Sequence, residues 1–184
     1  MSVLPRRVER PIPSGQGWYF DFPLGTGSNN KPAVAYVTLP ANLSLKVGST
    51  LVANYTVTAQ PGTVWQYFDS GCSTPAHGTL YFQQKGDDLS GQGDFNFYRW
   101  FASKVGIDNP FPTDGSKTYN LAVPIDVTNF SDVMGTPATD ARLQTALSNL
   151  QRVGIVFGGG CAAGHGLRVS SGGARFTMEL YEVR

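Results

Sequence analysis

Four stretches of this chain alternate between apolar and more polar side chains, one residue at a time. Trp18, Phe20 and Phe22 alternate with Tyr19 and Asp21. Leu51, Ala53, Tyr55 and Val57 alternate with Val52, Asn54, Thr56 and Thr58. Leu121, Val123, Ile125 and Val127 alternate with Ala122, Pro124 and Asp126. Ala174, Phe176, Met178 and Leu180 alternate with Arg175, Thr177, Glu179 and Tyr181. On a strand, successive side chains point to opposite faces, so each stretch offers one apolar face to a core. Segments 34–39, 79–83, 95–101, 153–157 and 167–170 add shorter strands between turns rich in Gly, Pro and Asn. The pattern predicts an all-β fold, an antiparallel two-sheet β-sandwich of jelly-roll type. One helix interrupts it, predicted over 137–151. Thr136 would cap it, Pro137 suits its first position, and Leu143, Leu147 and Leu150 share a face.

Residues 1–17 have no such period. They hold four charged side chains and three prolines, and read as an extended arm ahead of one sandwich domain, 18–184. The arm is expected either to pack on its own domain or to dock on a neighbouring subunit, and the second would make the protein a homo-oligomer or a component of a larger particle.

Composition narrows the function classes. The 184 residues fit one domain, and 41% hydrophobic content suits a globular chain. Charged residues reach only 15% and the net charge is +1, without the basic stripe of a nucleic-acid binder. No apolar run is long enough to span a membrane. The first ten residues lack the hydrophobic core of a secretory signal, so the expected location, outside the cell or on a virion surface, implies either a signal already removed or another route out.

The two cysteines and two histidines form matched clusters, Cys72 with His77 and Cys161 with His165, each in a glycine-rich loop. If the loops meet, the cysteines can form a disulfide, closing a loop worth about 4 kcal/mol in the chain-entropy model. The alternatives are two unpaired thiols, or a Cys2His2 zinc site made of Cys72, His77, Cys161 and His165. A Cys161–His165 nucleophile lacks an orienting group and an oxyanion hole. The glycines of 158–166 precede strands rather than a helix, so they do not make a phosphate cradle. The acidic loop 85–94 could hold calcium through Asp87, Asp88, Asp94 and backbone carbonyls, though no EF-hand spacing is present. No cofactor is expected beyond such a structural ion.

Aromatics next to polar side chains suggest a sugar platform: Trp65, Tyr67, Tyr98 and Trp100 with Asp87, Asp88 and Arg99. Aromatic faces stack on pyranose rings while polar neighbours bond the hydroxyls. By parity, Phe95, Phe97 and Phe101 are assigned to the core, and Tyr98 and Trp100 to the opposite face.

The last third carries a resemblance. Segments 124–135 (PIDVTNFSDVMG), 153–160 (VGIVFGGG) and 174–180 (ARFTMEL) resemble the end of galactose-binding-like jelly-roll domains, over about residues 119–184. Many carbohydrate-binding modules share that fold, and the resemblance implies a closing strand that completes the sandwich. Binding rather than catalysis is expected, with no catalytic residues. The leading expectation is a structural or attachment protein of an extracellular assembly, such as a phage capsid decoration or tail component. The second is a secreted carbohydrate-binding module, and a glycan-active hydrolase trails.

Overall fold

The structure, a computed structural model, describes residues 12–14, 17–25, 33–38, 44–67, 74–87, 97–102, 109–159 and 164–184. The alternating stretches form strands as their period requires. They include β2 (Gly17–Asp21), β4 (Thr50–Ala59), β8 (Gly115–Pro124) and β12 (Ala174–Val183). Together with β1 (Ile12–Ser14) they make one antiparallel sheet in the order β1-β2-β12-β4-β8. A second antiparallel sheet runs β3-β10-β6-β7-β9, from β3 (Tyr36–Thr38), β10 (Leu150–Gly158), β6 (His77–Gln84), β7 (Arg99–Ala102) and β9 (Phe130–Asp132). A small pair, β11 (Leu167–Ser171) and β5 (Val64–Tyr67), forms a separate two-stranded sheet, joined to the rest by bridges from Leu167 to Val34 and from Val169 to Leu24. Setting β2-β12-β4-β8 against β3-β10-β6-β7 gives jelly-roll order, with the chain passing repeatedly from sheet to sheet. The expected sandwich is therefore present.

Aromatic rings fill the space between the sheets. Phe157 of β10 meets Phe176 of β12 at 5.5 Å, Phe22 at 5.4 Å and Phe20 at 5.9 Å between ring centres. Tyr55 of β4 stacks on Phe176 at 4.9 Å and on Tyr119 of β8 at 4.8 Å. Aromatic pairs at such separations add to the burial of their large apolar areas. Leu51, Leu80, Phe82, Phe130, Ile155 and Leu143 continue this core. The last residue, Arg184, exchanges both backbone hydrogen bonds with Thr50, which pins the closing strand.

Three local readings change. The helix α1 covers Asp140–Ser148, shorter than 137–151, and Thr139 rather than Thr136 caps it, accepting from the Arg142 amide at 3.4 Å. The residues before it are engaged elsewhere: Pro137 bridges Ser131, and the Thr136 amide donates to Asp132 Oδ1 at 2.9 Å. Leu150 begins β10 instead of closing the helix. Val127 falls in a turn after β8 rather than on the strand. Residues 12–14 of the expected arm pair with β2 as an edge strand. Among the described residues, no helix is long and apolar enough to cross a membrane.

Candidate functional site

The β3-β10-β6-β7-β9 sheet turns Val37, Val153, Ile155, Phe157, Leu80, Phe82, Trp100 and Ala102 into the core. The opposite parity of the same strands then faces away from the other sheet, and its side chains form cross-strand rows. One row aligns Arg152, Gln83 and Arg99, because Gln83 pairs with both arginines in register. The next aligns Thr38, Gly154, Tyr81 and Phe101. A third brings Tyr36, Val156 and Thr79 together. This outer face is unusual for a sandwich: Gln83, Thr79 and Tyr81 are buried there, while Tyr36, Arg99, Phe101 and Arg152 are half-buried.

Asp87 joins the first row from the turn after β6. Its Oδ2 accepts from Arg99 Nε at 2.5 Å and its Oδ1 from Arg99 Nη2 at 2.9 Å. Gln83 Nε2 donates to Oδ2 at 2.5 Å. The other end of the same amide, Gln83 Oε1, accepts from Arg152 Nη1 at 3.2 Å. The amide orientation is thereby set from both sides. The result is a bidentate, charge-assisted clamp with the Asp87 side chain only 1% exposed.

The second row is aromatic. The Tyr81 ring centre lies 6.1 Å from Tyr36 and 6.5 Å from Phe101. Gly154 makes room for it: a Cβ there would meet the Val37 carbonyl oxygen at 1.9 Å and Tyr81 Cε1 at 2.8 Å. The Tyr81 hydroxyl is buried and makes no hydrogen bond of good geometry among the described residues, the Thr38 side chain being close enough only to act on it weakly. Burial raises its pKa well above the usual phenol range. Of the neighbouring groups, Thr38 and Arg152 act against that shift, while Tyr36 and Asp87 act with it.

The structure sorts the residues predicted from sequence. Asp87 and Arg99 meet in the clamp, which occupies Asp87 with a guanidinium rather than a calcium ion. Asp88 lies outside the described residues. Trp100 is buried at 1% exposure, stacks on Phe82 at 6.3 Å and donates its indole N–H to the Phe97 carbonyl at 3.1 Å. It therefore belongs to the core, and Phe101 takes the outward parity that had been assigned to Trp100. Tyr98 is half-buried against Gly86. Trp65 and Tyr67 sit on β5, away from this face. Trp65 donates to the Pro112 carbonyl at 2.8 Å and meets Phe22 edge-on at 4.9 Å, and the Tyr67 ring packs over Gly159. Tyr36, Tyr81, Gln83, Phe101 and Arg152 were not anticipated. Gln83 and Tyr81 were visible as one parity of a predicted strand, but only the register brings them beside Arg152 and Arg99.

Cys72 and Cys161, the predicted disulfide partners, lie outside the described residues. The bordering positions are informative: His77 and Gly158 are cross-strand partners at one end of β6 and β10. His77 is buried, and its Nδ1 lies 2.8 Å from the Pro75 carbonyl. Burial holds its pKa below the ordinary imidazole value, against the smaller opposing effect of that carbonyl. A neutral ring donating Nδ1–H to Pro75 fits this setting. His165 is exposed in the loop before β11. Among the described residues, no three of His, Cys, Asp and Glu gather as a metal site would require. Set against protein-family models, curated proteins and solved structures, the chain matches none.

Proposed function

We propose that this chain is a non-catalytic attachment protein of an extracellular assembly, holding a glycan on the outer face of the β3-β10-β6-β7-β9 sheet. One observation carries the reading: buried and half-buried polar groups, Gln83, Asp87, Arg99 and Arg152, lie beside the rings of Tyr36, Tyr81 and Phe101 on a face that does not serve the core. A few placed polar groups among aromatic side chains are the usual makeup of a small-ligand site. Rings offer a pyranose its apolar contact, and the arginines and Gln83 offer donors and an acceptor for hydroxyls. Jelly rolls serve both lectins and capsids, so the galactose-binding-like resemblance and the particle role are compatible with one chain. Tyr36→Ala and Phe101→Ala are each expected to weaken retention on a binding polysaccharide roughly tenfold. Trp65→Ala, on the far strand pair, should leave retention per folded molecule unchanged. Affinity electrophoresis with a polysaccharide panel checks this; retention that survives both outer-face variants would move the site elsewhere.

The particle-component reading has its own support. β1 is an outermost strand of its sheet and the first described element after residues 1–11. An edge strand presents unpaired backbone groups to a neighbouring chain. Removing residues 1–16 is expected to abolish oligomer or particle incorporation in sedimentation while leaving the near-ultraviolet circular dichroism of the sandwich intact. Incorporation that proceeds without them sinks this reading.

A further inference from the structure

The first row of the outer face holds two guanidiniums and one carboxylate. Asp87 is committed to Arg99 through both oxygens. Arg152 donates to the neutral Gln83 amide, and it forms no ion pair with a carboxylate among the described residues. Among the described residues, one positive charge on this half-buried surface is thus without a carboxylate partner. A second observation falls beside it. The Tyr81 hydroxyl, 3% exposed as a residue, makes no hydrogen bond of good geometry among the described residues; only the Thr38 side chain acts on it as a weak donor or acceptor, and Arg152 is among the charges that act on it. Leaving a buried hydroxyl poorly paired is costly, and a phenylalanine would avoid that cost. A guanidinium and a phenol O–H are both donors, and together they call for an anionic acceptor.

We infer that the ligand is an acidic glycan, whose uronate carboxylate is held by Arg152 with Tyr81 beneath it and whose ring lies against Tyr36 and Phe101. This rests on the glycan reading above and adds its charge. The half-buried Tyr36, Arg152 and Phe101 supply the contact surface, flanking Tyr81 on β3, β10 and β7. A carboxylate accepts both N–H bonds of a guanidinium fork, which a sugar hydroxyl does not match.

The test compares oligogalacturonate, its methyl ester, a neutral oligogalactan and poly-L-glutamate by isothermal titration calorimetry on the full chain. Oligogalacturonate is expected to bind about tenfold or more tightly than its methyl ester, with affinity falling as salt rises. Arg152→Gln should erase that preference, weakening oligogalacturonate about tenfold and its ester far less. Tyr81→Phe should weaken oligogalacturonate several-fold without lowering the melting temperature, an effect a purely structural tyrosine would not produce. Equal binding of acid and ester, or binding of the neutral galactan alone, overturns the carboxylate assignment and leaves the glycan reading standing. Poly-L-glutamate binding as tightly as oligogalacturonate overturns the sugar part. Binding of none of the four overturns this inference; silence across the wider polysaccharide panel overturns the glycan reading as well.

Discussion

Trp100→Ala should destabilise the domain by about 3–5 kcal/mol, the range for deleting a large buried aromatic. The indole is 1% exposed, stacks on Phe82, bonds the Phe97 carbonyl, and carries the Arg142 guanidinium 4.9 Å from its ring centre. Arg142 in turn bonds Asp132 Oδ2 at 3.1 Å, so α1 is fastened to the sheet through this tryptophan. Truncation would open a cavity and loosen the helix contact together. Urea unfolding should show the midpoint falling by about 2 M, taking a slope of about 2 kcal/mol/M. The sugar-platform reading of the sequence points to the opposite result, a folded variant that has lost sugar retention. A normal midpoint with lost retention would return Trp100 to the surface.

The second large effect is expected at Asp87. Asp87→Ala removes the acceptor for both Arg99 nitrogens and for the Gln83 amide. Breaking a buried pair by deleting one partner costs about 3–5 kcal/mol, because the other charge stays behind uncompensated. Arg99 keeps some contact with water, its side chain being 19% exposed, so the loss should be nearer roughly 2–4 kcal/mol. The double variant Asp87→Ala/Arg99→Met should recover much of it, since no orphan charge remains. Thermal and urea unfolding of the two single variants and the double close a cycle whose coupling reports the clamp. Additive losses would mean that the two side chains act independently, contrary to the bidentate geometry.

The local signals were strongest where one face alone is buried. On β4, β8 and β12 the apolar parity meets the aromatic core and the other parity carries Thr56, Thr58, Ser116, Thr118 and Arg175, so period two could be read directly. β6 defeats that reading, since all eight of its residues are buried and its two faces differ only in what covers them. Around β7 the chain pairs Trp100 with Phe82 and Arg99 with Gln83, which reverses the parity assigned from the phenylalanines. The helix start failed for a related reason: Thr136 and Pro137 carry strong capping signals, but tertiary pairing with Asp132 and Ser131 claims them first.

From its sequence alone, this protein is determined to be an all-β sandwich with one short helix, because side-chain alternation is a local property of the extended chain. Asp87 and Arg99 were also identifiable as polar groups of interest. Only the tertiary structure decides that they meet Gln83 and Arg152 in one row, that Tyr81 lies over Gly154 with its hydroxyl poorly paired, and that Trp100 points inward. Those facts depend on register between strands far apart in the chain, and a shift of one residue would turn every one of those side chains to the other face.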